Sequence, residues 1–309
     1  MNLRTGIEFV LLAALWGSSF LFMRIAVPEF GPFALAGLRV TGAGLFLLII
    51  LTIKQRNSEL FKSWKPIAVV GVFNSGIPFL FFAYAMAHIN AGLGSILNST
   101  VPLWGAVVAY FWLKDKMSLT RVFGLILGFS GVAFLVWSNS LSKPLAQTSS
   151  TLGNDSNIWA IMACLAATLL YGIAASFTKK YMSNIDSLVS ATGSQLSAAL
   201  PLIPLAVWFW PDQAVSFKAW ASVAVLSFFC TAIAYILYFK LLKTLGPAKT
   251  MTVTFLIPVF GMSWGALLMN EKITMQMLAA CAVIVLGVAL TTGLIGIPRR
   301  IASFWHSRD

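Results

Sequence analysis

Charged side chains are scarce in this chain of 309 residues, of which Asp, Glu, Lys and Arg together make up only 10%. Soluble domains carry about 25% of these residues. Hydrophobic residues reach 59% here, and a water-soluble fold of this length cannot bury so much apolar surface. Apolar stretches near the roughly 20 residues that a helix needs to cross a bilayer recur along the chain. The composition therefore predicts an all-α membrane protein.

Acidic residues are missing where a proton pathway would need them. All nine fall in predicted loops or close to a predicted helix end, whereas proton relays in membrane pumps usually need a buried carboxylate or histidine. We therefore prefer facilitated, gradient-driven transport over proton coupling as the mechanism.

Cysteine and histidine are also rare, with three and two residues. Cys164, Cys230 and Cys281 lie within apolar stretches, which argues against a disulfide framework. The sequence contains no set of metal ligands and no phosphate-binding loop. We therefore expect neither a metal nor another cofactor.

Ten apolar stretches predict ten transmembrane helices. They cover residues 7–25, 32–53, 66–88, 91–113, 119–137, 158–180, 187–209, 217–242, 247–269 and 274–296. The first stretch, Ile7 to Ile25, is too long for a signal peptide and lacks a small-residue cleavage site, so we interpret it as a retained helix. The one long connection, rich in Ser, Asn, Pro and Gly, divides the chain. The predicted units are a first five-helix repeat at 1–140, a linker at 141–157, a second repeat at 158–298 and a basic tail at 299–309.

Lys and Arg are distributed unevenly over alternate loops. Sixteen fall on the side of the two termini and four on the opposite side, while Arg39 lies inside a predicted helix. Because cytoplasmic loops carry the excess of positive charge, both termini are predicted to be cytoplasmic, in a multi-pass protein of a bacterial inner membrane. The net charge of +12 then needs no nucleic-acid partner.

The two halves of the chain match each other at a constant offset, which carries position 85 onto position 241 and is called the repeat offset below. The segment 85–119 aligns without a gap on 241–275, so that Pro102 falls on Pro258 and Asp115 on Glu271. A repeat of five helices ends on the side opposite to its start, so its copy is inserted upside down. Inverted repeats are a recurrent plan of secondary transporters, whose binding sites lie at the interface between the repeats.

The sequence resembles members of the EamA-type branch of the drug/metabolite transporter superfamily. The resemblance covers almost the whole chain and rests on short motifs in a fixed order, namely ALWGSSF at 14–20, GLR at 37–39, NAG, VP and KD across the fourth predicted helix, and LGPAK, IPVFG and NEK in its copy. It implies ten helices around a central cavity formed largely by helices 3, 4, 8 and 9. It also implies export, or sometimes import, of amino acids and related metabolites.

Polar and aromatic side chains inside the predicted helices are the candidate substrate-binding residues. A mostly apolar pocket with a few orienting hydrogen bonds is typical of small-ligand sites, although residues at helical spacing can equally serve helix packing. The candidates are Trp16, Arg39, Asn74, Ser75, Tyr84, Asn98, Trp104, Tyr171, Gln195, Thr231, Tyr235, Tyr238 and Thr254. Pro102 and Pro258 are the candidate gating residues, because proline interrupts the hydrogen bonds of a helix and favours a kink there.

Arg39 is the one basic residue more than three residues from the ends of a predicted helix, where an unpaired charge is costly. Two alternatives exist for the group that pairs with its guanidinium. Glu29 would meet the guanidinium if the side chain extended outward. Alternatively, the guanidinium would bind the carboxylate of an amino-acid-like substrate. The matching position in the second half is Ser194 or Gln195, depending on a one-residue gap.

Transport of small metabolites, most of all export of amino acids, is the function that these features predict, with the solute and the lipid bilayer as partners. Import, or transport of nucleotide conjugates, is the alternative within the same class. An intramembrane hydrolase that uses Ser18 or Ser19 with His88 is disfavoured, because these residues lie at different predicted depths. The sequence leaves monomer and homodimer undecided.

Overall fold

The computed structural model describes residues 3–115, 117–141, 155–245, 250 and 252–293, and this part of the chain forms helices and no strand. Nine of its helices are long and apolar enough to cross a membrane. The first, α1 (Leu3–Ile53), has 51 residues and consists of two helices that meet at a kink. At 1.5 Å per residue, their summed length of about 75 Å is more than twice the hydrocarbon thickness of about 30 Å. The backbone leaves the helical conformation at Gly31 (φ 69°, ψ 166°), between the first two predicted helices.

A short helix that the sequence did not predict, α2 (Asn57–Lys62), follows α1. The later helices lie where the third to tenth predicted helices were placed. They are α3 (Trp64–Gly71, a π-helical turn at Val72–Gly76, and Ile77–His88), α4 (Ala91–Asn98, Val101–Val108 and a π-helical turn at Ala109–Leu113), α5 (Leu119–Leu141), α6 (Asp155–Tyr181), α7 (Ser187–Trp208), α8 (Phe217–Ser227, a π-helical turn at Phe228–Ile233, and Ala234–Leu245), α9 (a 3₁₀ turn at Thr252–Phe255 and Ile257–Met269) and α10 (Met275–Thr292).

Polar caps explain where several helices begin. In an N-cap, a short polar side chain accepts a hydrogen bond from a backbone N–H group of the first helical turn that has no partner within the helix. The residues that do this are Asn90 for α4, Asp186 for α7, Ser216 for α8 and Thr274 for α10.

Helix packing places α1 at the centre, in contact with α3, α7, α8 and α9, while α6 covers α3 and α4. The α5–α10 pair depends on glycine. A Cβ atom on Gly124 would lie 2.6 Å from the carbonyl oxygen of Gly287, and one on Gly131 would lie 2.9 Å from Cγ1 of Ile284. Side chains at these positions would force the two helices apart. Close approach through small residues, as expected for intramembrane helices, therefore occurs at this pair.

Backbone features recur in the structure at the repeat offset found in the sequence. The π-helical turns of α3 and α8 begin at the equivalent residues Val72 and Phe228. At the ends of α4 and α9, Lys114 (φ 56°) and Asn270 (φ 54°) both adopt the left-handed conformation. The predicted linker, except for its ends, and the predicted tail lie outside the described residues.

Candidate functional site

A cavity of about 440 Å³ lies between α1, α3, α4, α6, α7, α8 and α9. Its inner wall includes Trp16, Arg39 and Asn98. Away from this wall, the cavity reaches two exposed residues, Lys179 and Ser183. Lys179 lies at the end of α6, and Ser183 lies in the connection between α6 and α7. We call this end of the molecule the mouth side. The opposite end, where α3 ends and α4, α8 and α10 begin, is called the closed side.

Most of the predicted substrate-binding residues line this cavity. They are Trp16, Arg39, Asn74, Asn98, Tyr171, Tyr235, Tyr238 and Thr254. The resemblance implied walls from helices 3, 4, 8 and 9, and all four contribute. The structure adds α1, α6 and α7 to them.

Arg39 is the charged residue deepest in the cavity, and its side chain is 5% exposed. Its Nε donates to the hydroxyl oxygen of Thr231 at 2.9 Å, and its Nη1 approaches the sulfur of Met23 at 3.5 Å. The guanidinium carbon lies 3.7 Å from the centroid of the Phe79 ring, an arrangement that favours a cation. A guanidinium has five N–H donors, so these contacts leave most of them available.

The structure excludes the ion pair between Arg39 and Glu29. Glu29 accepts hydrogen bonds from the backbone N–H of Ser216 at 2.6 Å and from its hydroxyl at 2.7 Å. These bonds, at the start of α8, hold the pKa of the Glu29 carboxyl below its usual range. The interpretation of Glu29 as the partner of Arg39 is therefore wrong, because the start of α8 needs the same carboxylate.

Ser75, Thr231 and Gln195 lie behind the cavity wall and position groups that line it. The Gln195 side-chain nitrogen donates to the Ser75 hydroxyl at 2.9 Å, and Ser75 is 3.3 Å from the Tyr235 hydroxyl. The Asn74 side-chain nitrogen donates to the same Tyr235 oxygen at 2.8 Å. Since Asn74 and Ser75 belong to a π-helical turn, a feature frequent at functional sites, the local widening of α3 brings both side chains to Tyr235.

Two of these contacts are equivalent in the two halves of the chain. The repeat offset carries Arg39 onto Gln195 and Ser75 onto Thr231, and each long side chain donates to the hydroxyl in the facing π-helical turn. Gln195, rather than Ser194, is therefore the match of Arg39. The two halves differ at this point by one charge, so the site is asymmetric.

Aromatic rings form much of the wall, and sequence reasoning found only part of them. Trp16 lies 5.4 Å from Tyr238, and Phe82 lies 6.0 Å from Tyr171, between ring centroids. Phe79 and Phe82 were missed because a phenylalanine in an apolar helix has no signal that separates a wall from a core. The repeat holds such a signal, since its offset carries both phenylalanines onto predicted tyrosines. Ser19, Phe20 and Met23 also line the cavity and were not predicted.

Two predicted wall residues lie elsewhere in the structure. The Tyr84 ring packs beside His88 with centroids 4.7 Å apart, and Trp104 packs on Phe129 at 4.8 Å. Neither residue lines the cavity.

The predicted gating prolines occupy the first turns of new helical segments. Pro102 is the second residue of the segment Val101–Val108, and Pro258 is the second residue of Ile257–Met269. Proline has no N–H to lose there and fits without strain. The interruptions in α4 and α9 thus lie just before the prolines.

Ser18 and Ser19, the serines considered for a hydrolase, form hydrogen bonds with backbone carbonyl groups of their own helix. Ser18 and Ser19 donate to the carbonyl oxygens of Leu15 and Trp16 at 2.9 and 2.6 Å, and His88 contacts the carbonyl oxygen of Tyr84. In this arrangement no serine–histidine pair is formed among the three.

A known protein family matches this chain in two parts, which correspond to its two predicted repeats. The model of the EamA-like transporter family matches residues 4–137 and 158–293. "Uncharacterized transporter YvbV" of Bacillus subtilis is 23% identical over 93% of this chain and 91% of its own length. An "Uncharacterized transporter" of Archaeoglobus fulgidus is 22% identical over 91% of this chain and 96% of its own. A solved crystal structure shares the fold, with a TM-score of 0.66 at 18% identity, covering 97% of this chain and 99% of that one. The chain therefore belongs to the EamA-like transporter family, as its motifs predicted.

Proposed function

We propose that this membrane transporter exports amino acids or related carboxylates by alternating access through the cavity, and that Arg39 binds the carboxylate. The observation that carries the proposal is the surroundings of Arg39. Within the described residues, its guanidinium forms no ion pair with a protein carboxylate, and it lines an accessible cavity.

A buried charge is costly unless it is paired and hydrogen-bonded. The planar guanidinium matches a carboxylate with two parallel hydrogen bonds, so a substrate acid group would supply the missing partner. The described lining contains Arg39 and Lys179 and no acidic residue. This balance favours a solute with a negative group.

The remaining wall suits the rest of such a solute. A cavity of about 440 Å³ is within the range of small-molecule sites. Trp16, Phe82 and Tyr238 offer apolar and aromatic surface, while Asn74 and Asn98 offer hydrogen bonds. The described lining contains no carboxylate or histidine for a proton relay, which supports facilitated, gradient-driven transport.

The proposed architecture is ten membrane-crossing helices in two inverted five-helix repeats, at 1–140 and 158–298, joined by a periplasmic linker. Its support is the length of α1, which is sufficient for two crossings, and the pair of equivalent contacts made by Arg39 and Gln195. Both termini are cytoplasmic by the distribution of Lys and Arg. The mouth side then faces the cytoplasm of a bacterial inner membrane, from which an exporter loads its solute.

Counterflow in proteoliposomes tests the proposal. A panel of labelled amino acids, nucleosides and sugars is offered to the wild type, and each accepted acid is compared with its carboxamide. We expect saturable exchange of acids, with a preference of about tenfold or more over the amide, the factor that corresponds to about 1.4 kcal/mol. Arg39→Gln should lose this preference.

Two matched variants make the result specific. Arg39→Lys keeps the charge but not the paired geometry and should retain part of the preference. Glu29→Gln changes a carboxylate outside the cavity and should retain all of it. Exchange confined to solutes without a carboxylate, or an unchanged acid-to-amide ratio in Arg39→Gln, would remove Arg39 from the proposed site.

A further inference from the structure

Glu271, in the connection between α9 and α10, binds the beginning of α4 on the closed side. Its Oε1 and Oε2 accept the backbone N–H of Ala91 at 3.0 and 3.1 Å, and Oε2 lies 3.4 Å from the backbone nitrogen of Gly92. The first N–H groups of a helix have no partners within it and carry partial positive charge. A carboxylate from the other half of the chain therefore completes this helix end.

The backbone around Glu271 holds the carboxylate in this position. Asn270 adopts the left-handed conformation, and the N–H of Glu271 donates to the carbonyl oxygen of Gly265 at 3.1 Å. A Cβ atom on Gly265 would collide with Oε2 of Glu271 and lie 3.6 Å from Cβ of Ala91. The absence of a side chain at Gly265 thus makes room for the contact.

Asp115 is the residue equivalent to Glu271 in the first half and stands in the same backbone arrangement, on the mouth side. Lys114 is left-handed, and the N–H of Asp115 donates to the carbonyl oxygen of Ala109 at 3.2 Å. Its carboxylate, however, accepts from Nζ of Lys179 at 3.1 Å, and Lys179 lines the mouth of the cavity. Two equivalent carboxylates therefore have different partners, a helix beginning where the cavity is closed and a mouth-lining lysine where it is open.

We propose that the bond from Glu271 to the start of α4 keeps the cavity closed on that side and must break for the cavity to open there. This inference rests on the proposed transport by alternating access. Glu271 and its hydrogen-bond partners Ala91 and Gly92 are not among the residues that line the cavity, so Glu271 acts as a positioning residue. A purely structural cap would stabilise the fold without changing the side from which the cavity is reached.

Labelling of a single cysteine measures that side. The reporter is Val101→Cys, a cavity-lining position, in a chain whose Cys164, Cys230 and Cys281 are replaced by serine. A membrane-impermeant maleimide is added to sealed vesicles of either orientation. We expect the unaltered Glu271 background to react faster from the mouth side. Glu271→Gln should raise the rate from the closed side about fivefold or more, the factor equivalent to losing one helix cap.

A second variant separates the contact from the charge of Glu271. Gly265→Ala places a methyl group where the carboxylate lies and should raise closed-side labelling in the same way. Gly105→Ala is the matched control, because a Cβ atom there meets nothing within 4 Å. Asp115→Asn is the control for loss of the equivalent carboxylate. Neither control should raise closed-side labelling.

Monodisperse elution from a size-exclusion column in detergent identifies the variants that fold. If Glu271→Gln does not fold, Gly265→Ala provides the test. Unchanged closed-side labelling in the folded variants would overturn the proposal, as would an equal rise in either control. Solute counterflow is measured in parallel. Absence of counterflow with a shift in labelling would reject the proposed function and leave the role of Glu271 standing.

Discussion

Three charged residues on the closed side bind the ends of helices. Nη1 of Arg24 donates to the carbonyl oxygens of Met86 and Ala87 at the end of α3, at 2.8 and 3.0 Å. Glu29 and Glu271 bind the beginnings of α8 and α4. Each sign complements the helix dipole, since cations are favoured at the carboxyl end and anions at the amino end. Arg39 differs from these residues, because its guanidinium faces the cavity instead of a helix end.

The bond between Glu29 and α8 predicts a pH dependence of stability. Hydrogen bonds from Ser216 lower the pKa of the Glu29 carboxyl in the folded protein. The unfolded chain therefore binds the proton more tightly, and the stabilising effect is present above the unfolded pKa and lost as the pH falls through the folded pKa. We expect the melting temperature in detergent to fall on acidification below about pH 4.5.

Glu29→Gln is the test of this residue. Because the amide does not titrate, the variant should have a lower melting temperature than the wild type at pH 7 and a smaller difference from it in acid. A difference that stays constant from pH 7 to acid would contradict the assignment.

Interrupted helices are the elements that most affect the cavity. The π-helical turns of α3 and α8 carry Asn74, Ser75 and Thr231, while α4 and α9 are interrupted just before Pro102 and Pro258. Such interruptions leave backbone groups that a membrane helix must satisfy within the protein or a water-filled cavity. By contrast, α5 and α10 are continuous and pack closely through glycines. The movable parts of the fold are therefore expected among the interrupted helices.

Replacement of the prolines tests this expectation. Alanine at position 102 or 258 would let the hydrogen bonds of α4 or α9 continue through the interruption, which proline prevents. We expect Pro102→Ala and Pro258→Ala to lower the transport rate about tenfold, equivalent to about 1.4 kcal/mol in the barrier, with protein abundance nearly unchanged. Equal losses of rate and abundance would indicate a purely structural role.

At the scale of the whole molecule, the described residues that line the cavity reach exposed positions at one end. Exposed Lys179 and Ser183 mark the mouth, while the opposite end is joined by the contacts of Arg24, Glu29 and Glu271. If the halves are inverted repeats, the same elements exchange roles when the cavity opens to the other side. The described conformation is then the one that binds solute from the mouth side.

The membrane topology can be measured independently of transport. Single cysteines at positions 57 and 183 should react only with a reagent added from the cytoplasm, and those at positions 147 and 272 only with a reagent added from the periplasm. This outcome follows from the excess of Lys and Arg on one set of loops. Labelling of positions 57 and 272 from the same side would refute the inverted-repeat architecture.

The predicted helices agree well with the structure because hydropathy is a local property. The segments 91–113 and 187–209 have nearly the bounds that the structure gives to α4 and α7. The backbone leaves the helical conformation at Gly31, between the first two predicted helices, whereas α2 was not expected. A short polar helix at the surface leaves little trace in a hydropathy average taken over the length of a membrane span.

Residues of the site were harder to predict than the helices that carry them. Arg39 and Asn98 stood out because polar groups are rare in membrane helices. Trp104 looked similar to Trp16 in sequence, yet only Trp16 lines the cavity. The direction in which a side chain points around its helix depends on the neighbouring helices, and an all-apolar helix has no polar face to indicate it.

The sequence by itself determined that the chain lies in a membrane, where its helices run, which family it belongs to and which polar residues are unusual. These properties follow from composition, local hydropathy and short motifs. Only the tertiary structure decided that Glu29 binds Ser216 and that Arg39 meets Thr231, 192 positions away along the chain. It also paired Glu271 with Ala91. Such contacts depend on how helices distant in sequence pack and rotate against one another, which no local pattern specifies.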